Sequence, residues 1–140
     1  MASNVSGISV YWASGDNFVV DVRAHFLNTD QPYDAGGKDL GPTPTELFVA
    51  SLGACIGFFA ERFMRRHDLD AEGLRIDCGF EMAERPARIS RIHVRVALPP
   101  GFPEQRRAAL LAVVEGCTVH NSLRQPPEVR IELEQPARVT

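Results

Sequence analysis

The stretch LFVASLGACIGFFA, from Leu47 to Ala60, is the feature that most limits what this chain can fold into, because it contains no charged residue. Its start is typical of a capping box, with Thr43 at the N-cap, Pro44 at the first helical position and Glu46 at the third. This pattern predicts a helix that continues to about His67. A helix that is apolar on every side must be buried on every side.

A chain of 140 residues is expected to form one domain, residues 1–140, with few other elements to surround such a helix. We therefore expect a second copy of the chain to cover part of it, which gives an intertwined homodimer. The apolar stretch is too short to span a bilayer, and the N-terminal MASNVSGISV lacks the basic and apolar regions of a signal peptide. The net charge of −3 argues against sequence-independent nucleic-acid binding. We expect a cytoplasmic protein with neither nucleic acid nor membrane as a partner.

The remaining elements predict an α+β domain with the order β-β(-β)-α-β-β-α-β. The segments GISVYWA and NFVVDVRAHF predict strands joined by a turn at SGDN, and a long loop, LNTDQPYDAGGKDLGPTP, follows. LRIDCGFEM and ISRIHVRVAL alternate as an antiparallel hairpin does, with AERPAR as its loop. PEQRRAALLAVVEG predicts an amphipathic helix that Gly116 ends, CTVHNSL predicts a short helical turn, and EVRIELE predicts the last strand.

Three cysteines are the residues best suited to chemistry: Cys55, Cys78 and Cys117. An odd count without a Cys-x-x-Cys pair argues against a disulfide scaffold or a zinc ribbon, and we expect neither a metal nor another cofactor. Cys78 falls on the inward face of a strand and is interpreted as structural. Cys117 precedes a helical segment, where N–H groups stabilise a thiolate. Cys55 and Cys117 can each be interpreted in two ways, as a buried apolar thiol or as a reactive thiol.

Two blocks, GGKDLGPTPTELFVASLGAC and VVEGCTVHNSL, together resemble the OsmC/Ohr family of thiol-dependent hydroperoxide-resistance proteins. The resemblance is strongest to the OsmC-like branch and extends from VRAHFLNTDQP to the last strand. It implies an OsmC-like fold, an intertwined homodimer with the cysteine-bearing helix at its centre. It also implies that Cys55 is the peroxidatic thiol and Cys117 the resolving thiol, near the dimer interface.

The resemblance implies a function in the oxidative stress response, and thiol chemistry gives its steps. Cys55 would attack a hydroperoxide and become a sulfenic acid. Cys117 would condense with it to a disulfide, which an external dithiol would reduce. The expected lining of the substrate site is apolar, which favours an organic hydroperoxide over hydrogen peroxide; it comprises Leu47, Phe48, Leu52, Phe58 and Phe59.

A buried thiolate needs a charged partner, and the resemblance implies an arginine from the N-terminal strands and a glutamate at the helix start. Arg23 is the candidate arginine, although a solvated strand face is the alternative. Glu46 is the candidate carboxylate, but it lies nine positions before Cys55. At about 100° per residue that places it on the opposite face of the helix, where capping is the alternative role.

Two histidines and two other functions remain open. His120 could poise the Cys117 thiol or simply be a polar residue at a helix end, and His25 could make a structural hydrogen bond or line the pocket. A non-catalytic module that binds an apolar small molecule in the inter-subunit pocket is the main alternative to the peroxidase. A thiol hydrolase or transferase is a further alternative, for which the sequence shows no orienting acid.

Overall fold

A computed structural model describes residues 7–138 of the chain. Their elements confirm the α+β class and follow in the order β1 Ile8–Ser14, β2 Asn17–Val22, β3 His25–Thr29, α1 Pro44–Arg66, β4 Arg75–Ala83, β5 Arg88–Ala97, α2 Arg107–Glu115 and α3 Thr118–Arg124. Strands β1, β2 and β3 form one antiparallel sheet in that order, and β4 and β5 form a second.

Helix α1 begins with the capping box that the sequence predicts. The Thr43 side chain accepts a hydrogen bond from the Glu46 N–H at 3.0 Å, and the Glu46 carboxylate accepts one from the Thr43 N–H at 2.9 Å. Pro44 occupies the first turn, where its missing N–H costs no hydrogen bond. The helix ends at Arg66 with His67 as its C-cap, as predicted, and Arg65 and Arg66 stabilise the negative end of the helix dipole.

The core lies between α1, the β4–β5 hairpin and α2. The buried residues that make it continuous are Leu52, Ile56, Ala60, Phe63, Met64, Leu110, Val114 and Cys117. Two glycines allow the hairpin to approach α1 closely. A Cβ at Gly53 would lie 2.8 Å from the Cys78 Sγ, and one at Gly57 would lie 3.4 Å from Ile76. This close approach determines which face of α1 packs against β4. The directions in which the other faces of the helix point follow from it.

The loop between β3 and α1 is organised around Asp30, which is 2% exposed. The Asp30 carboxylate accepts backbone N–H groups from Gln31 at 2.7 Å, Lys38 at 3.3 Å and Leu40 at 3.2 Å. Gly37 passes so close to this site that a Cβ there would collide with the carbonyl oxygen of Gln31. One side chain therefore holds the path along which the chain enters α1.

The segment NFVVDVRAHF is two strands and not the single strand that its apolar residues predict. The chain turns at Arg23 and Ala24, which have φ of +50° and +66°, and β3 returns beside β2. Arg23 therefore lies in a two-residue hairpin turn, not on a strand face shared with Asp21 and His25. The Asp21 carboxylate accepts the Ala24 N–H at 3.2 Å, which stabilises the turn.

The three-stranded sheet has an apolar face that the rest of the described chain does not cover. Cross-strand pairs place Ile8 opposite Val22, Val10 opposite Val20 and Trp12 opposite Phe18 on that face. Trp12 is 68% exposed and Ile8 is 64% exposed. The sheet packs against neither α1 nor the β4–β5 hairpin to any extent within residues 7–138.

The prediction that EVRIELE forms the last strand is wrong for the described chain. Residues 126–138 have no regular secondary structure, and Leu133 is 97% exposed. A strand requires a neighbour that accepts its N–H groups, and neither sheet in residues 7–138 pairs with this segment. The alternation of Val129, Ile131 and Leu133 is that of a strand, but no strand within residues 7–138 pairs with it.

Helix α1 is also less buried than its composition predicts. One stripe is open to solvent in the single chain, and it includes Phe48, Ala54 and Phe58. By length and composition alone, α1 is also long and apolar enough to cross a membrane. Its contacts with β4, β5, α2 and α3 are those of a central core helix.

Candidate functional site

Cys117 lies between α2 and α3, and its sulfur caps the N-terminus of α3. Its backbone is extended (φ −67°, ψ 155°), and its Sγ accepts a hydrogen bond from the His120 N–H at 3.4 Å. Ser, Thr, Asp and Asn are the usual residues at this position because their oxygens accept more strongly. The sulfur of Cys117 is fully buried. The N-cap places a thiol, rather than a hydroxyl, in the core.

Cys55 lies on α1, on the face that turns toward α3. It is half-buried and packs against the core cluster that contains Cys117. The residues that flank it along the helix, Leu52 and Ile56, are buried, so this face of α1 points toward the core. The two thiols that the sequence singles out thus meet within one chain.

The environment of the pair keeps Cys117 protonated. Burial is the main cause that raises the pKa of the Cys117 thiol, while the His120 N–H opposes the rise. The Cys55 side chain adds to the rise both by a hydrogen bond and by its charge. At neutral pH the Cys117 sulfur is therefore mostly the protonated thiol, which is a weaker nucleophile than the thiolate.

A groove of about 780 Å³ opens between the start of α1, the tip of the β4–β5 hairpin and α3. Its lining includes Phe48 and Leu52, two of the five residues that the sequence predicts for the substrate site. A smaller cavity of about 260 Å³ adjoins it, and Leu52, Ile92 and His120 line both. His120 thus connects the groove to the sulfur of Cys117.

The other three predicted lining residues lie elsewhere. Phe58 and Phe59 face shallow pockets beside Arg62 on the second half of α1, with ring centroids 5.4 Å apart. Leu47 is half-buried in the first turn of α1. The apolar composition of the helix does not predict which of the five residues line the groove, because that depends on which element packs on each face.

Glu46 and Arg23 are not gathered around Cys55 in the single chain. The Glu46 carboxylate is held at the N-cap by the Thr43 N–H. Arg23 is exposed at the turn between β2 and β3, on the sheet that does not pack against α1. His25 is also exposed and pairs in register with Val22.

Sequence reasoning missed the residues that the hairpin and α3 bring to the groove: Met82, Arg88, Ile89, Arg91, Ile92, Leu123 and Arg124. The signal available was the proximity of Arg124 to Cys117 along the chain; nothing in the sequence places the hairpin tip beside the start of α1. Within residues 7–138, no three His, Cys, Asp or Glu side chains converge as they would around a metal ion.

The sequence matches a family model, and this match identifies the family of the protein. The model described as OsmC-like protein matches residues 36–132, which include the start of α1 and all three cysteines. The chain belongs to the OsmC-like family. Among curated proteins, none matches the sequence significantly.

Solved structures of OsmC-like proteins share the fold. A putative osmotic stress induced and detoxification response protein from Psychrobacter arcticus is 20% identical, with a TM-score of 0.79 over 86% of this chain and 90% of that chain. The organic hydroperoxide resistance protein OsmC from Legionella pneumophila is 20% identical, with a TM-score of 0.59 over 87% and 92%. The organic hydroperoxide resistance protein OhrB of Bacillus subtilis is 17% identical, with a TM-score of 0.62 over 92% and 98%.

Proposed function

We propose that this OsmC-like protein is a homodimeric thiol peroxidase that reduces organic hydroperoxides. The observation that carries the proposal is the meeting of the Cys55 and Cys117 thiols beside an apolar groove. Similar structures named for organic hydroperoxide resistance support it. The three free cysteines suit a reducing compartment, and we propose the cytoplasm.

In the first step the Cys55 thiolate attacks the distal oxygen of the hydroperoxide. The O–O bond breaks, the sulfur is oxidised to a sulfenic acid, and the leaving alkoxide takes a proton to become the alcohol. The half-buried thiolate requires a nearby cation. We assign that role to Arg23 in the assembled dimer, and we assign to Glu46 the fixing of the first turn of α1.

In the second step the Cys117 sulfur attacks the Cys55 sulfenic acid. An S–S bond forms, and the hydroxyl of the sulfenic acid leaves with the Cys117 proton as water. Oxidation of Cys55 removes its negative charge, which is one cause that raises the pKa of Cys117. The resolving thiol therefore becomes easier to deprotonate once it is needed. An external dithiol then reduces the disulfide by thiol–disulfide exchange and is itself oxidised.

Three apolar surfaces that one chain leaves open support the proposed homodimer. They are the face of the β1–β2–β3 sheet that carries Ile8, Val10 and Trp12, the α1 stripe with Phe58, and the segment with Val129, Ile131 and Leu133. Contiguous exposed apolar surface of this kind is typical of protein–protein interaction sites. A second copy would offer sheet edges to residues 126–138 and apolar partners to the other two surfaces.

The Trp12→Glu variant is expected to weaken the dimer, because a charge would be buried in the inter-subunit surface. Analytical ultracentrifugation of wild type should give twice the 15.4 kDa chain mass, and the variant should shift toward the monomer. Tyr33→Glu is the matched control, since Tyr33 is equally exposed but lies in the loop before α1. A wild-type monomer at micromolar concentration would contradict the dimer.

The function is tested by titrating the reduced wild-type protein with cumene hydroperoxide and counting free thiols. We expect a loss of two thiols per chain, one disulfide by mass, and a larger rate constant for cumene hydroperoxide than for hydrogen peroxide. A rate constant for hydrogen peroxide that equals or exceeds that for cumene hydroperoxide would overturn the preference for organic substrates. No thiol loss with either oxidant would overturn the peroxidase.

A non-catalytic binding module is the second candidate, and one observation favours it. The sheet that carries Arg23 does not pack against α1 within residues 7–138, so the cation that activates Cys55 depends on the dimer. Binding of an apolar ligand without thiol loss would support this candidate.

A further inference from the structure

Helix α3 depends on the Cys117 sulfur for its start. Thr118, Val119 and His120 occupy its first three positions, whose N–H groups have no acceptor inside a helix. The Cys117 Sγ accepts the His120 N–H at 3.4 Å, and the Val119 N–H also lowers the pKa of this thiol. Within residues 7–138 no other side chain caps this turn. The sulfur that we assign to the resolving step is therefore also the N-cap of a helix.

The rest of α3 does little to hold the helix in place once the cap is lost. The helix has seven residues, and none of them is buried. Helices of this length are unstable on their own. The side-chain hydrogen bonds of α3 are local, since Asn121 Nδ2 donates to the Gly116 carbonyl oxygen at 3.1 Å and the Ser122 hydroxyl to that of Thr118 at 2.9 Å. Neither bond supplies a new acceptor for the His120 N–H.

A disulfide between Cys55 and Cys117 would weaken this cap in two ways. An S–S bond is about 2.05 Å long, well below hydrogen-bond distance, so the two sulfurs have to approach each other by roughly 1 Å or more. The Cys117 sulfur is thereby drawn toward α1. A bonded sulfur also cannot ionise, so the thiolate, which accepts N–H groups most strongly, is lost. Oxidation of the pair therefore destabilises the first turn of α3.

The position of α3 bears on how a reductant reaches the disulfide. The Cys117 sulfur is fully buried and Cys55 is half-buried, whereas thiol–disulfide exchange requires a thiolate to reach one of the two sulfurs. Three residues of α3 form one wall of the groove of about 780 Å³, namely His120, Leu123 and Arg124. Neither cysteine lines that groove while α3 is in place. Movement of α3 would therefore open a path from the groove to the pair.

We propose that α3 is a redox-linked gate, which is closed while Cys117 is a thiol and opens when Cys117 joins Cys55 in a disulfide. In the reduced state the capped helix covers the Cys117 sulfur. In the disulfide state the uncapped helix frays from its first turn and admits the external dithiol. Reduction of the disulfide restores the cap and closes the gate. The gate rests on the proposed peroxidase for its natural oxidant, but any oxidant that forms the disulfide should open it.

Hydrogen exchange followed by mass spectrometry tests the gate on the wild-type protein. The disulfide is formed with diamide, which takes two electrons and two protons from the thiols and becomes the hydrazine. In the disulfide form we expect peptides that cover residues 118–124 to exchange about two- to thirtyfold faster than in the reduced protein, the range for loss of an N-cap. Helix α2, residues 107–115, is the internal control and should exchange at the same rate in both forms.

Two substitutions at one position separate the cap from the disulfide. Cys117→Ser keeps a capping oxygen but forms no disulfide, so diamide should leave the exchange of α3 unchanged. Cys117→Ala has neither, so its α3 should exchange in the reduced protein as fast as in the wild-type disulfide. Circular dichroism checks that both variants retain the fold. Equal exchange of α3 in the reduced and disulfide forms of wild type would overturn the gate, and so would slow exchange in Cys117→Ala.

Two variants of equal charge test whether α3 limits the reduction without altering either cysteine. Thr118→Glu adds a carboxylate to the first turn of α3, where the helix dipole favours it, and Ser122→Glu adds one to the last turn, where the dipole disfavours it. Both positions are exposed. Dithiothreitol should reduce the disulfide about two- to fivefold more slowly in Thr118→Glu than in wild type, and more quickly in Ser122→Glu. Equal rates in the two variants would overturn the gate.

The outcomes also distinguish the gate from the peroxidase. A diamide-formed disulfide that loosens α3, in a protein whose thiols do not react with cumene hydroperoxide, would retain the gate and overturn the peroxidase. Loss of two thiols to cumene hydroperoxide with the exchange of α3 unchanged would retain the peroxidase and overturn the gate. Three free thiols per chain after diamide treatment would overturn the Cys55–Cys117 pair on which both depend.

Discussion

Replacement of Cys55 by serine is expected to abolish hydroperoxide turnover, with a fall in kcat/KM of at least about 1,000-fold, as for other nucleophile deletions. The hydroxyl of serine is not ionised at neutral pH and does not form a stable oxidised state that Cys117 could attack. Circular dichroism should show an unchanged fold, since oxygen is smaller than sulfur and Cys55 is only half-buried. Turnover is measured by the loss of cumene hydroperoxide in the presence of dithiothreitol.

The other two cysteines provide the controls for this result. Cys117→Ser should react once, lose one thiol and accumulate a Cys55 sulfenic acid that dimedone traps and mass spectrometry detects. Cys78→Ser should retain the wild-type rate, because Cys78 packs against Gly53 on the face of α1 toward β4. A Cys55→Ser protein that turns over as fast as Cys78→Ser would mean that the thiol pair has no part in catalysis.

Replacement of Asp30 by alanine is expected to lower the free energy of unfolding by roughly 2–4 kcal/mol. Three backbone N–H groups would lose their acceptor in a buried site, and hydrogen bonds to a charged group contribute about 1.5–3 kcal/mol each without adding fully. The entry to α1 would loosen as well, so peroxidase activity should fall. Urea unfolding at one fixed protein concentration measures the change.

Asp34→Ala is the matched control for Asp30→Ala. Asp34 lies in the same loop but is exposed, so its removal should change the unfolding free energy by less than about 0.5 kcal/mol. Asp30→Asn should fall between the two, because the amide retains one oxygen acceptor but no charge. Equal stability of the Asp30→Ala and Asp34→Ala proteins would show that the three hydrogen bonds do not hold the loop.

Local signals in the sequence predict those parts of the fold that depend on neighbours along the chain. The Thr43–Glu46 capping box, the alternation in β4 and β5 and the stop at Gly116 all appear where predicted. Two predictions failed because they depend on distant partners or on an unusual backbone conformation. Arg23 and Ala24 adopt positive φ without a glycine, so no turn residue marks the end of β2. The alternation of Val129, Ile131 and Leu133 predicts a strand, but a strand also needs a neighbour, which the local sequence does not specify.

The candidate site likewise contains residues that the sequence predicts and residues that it does not. Cys55 and Cys117 stand out by their positions in the helix and at the N-cap, and the structure brings their thiols together. The arginines that line the groove could not be predicted, because Arg88 and Arg124 are 36 residues apart in sequence and meet at the groove only after the hairpin packs beside α3. Tertiary packing decides which exposed cation faces an apolar surface and which faces water alone.

The contact between Cys78 and Gly53 gives the protein an internal reporter of local unfolding. Burial, followed by the charge of Asp77, raises the pKa of the Cys78 thiol, so it stays protonated and unreactive while the hairpin lies on α1. A thiol reagent should label Cys78 faster when that contact opens than when the hairpin lies on α1. A rise in the labelling rate of Cys78 would therefore report separation of the hairpin from the helix that carries Cys55.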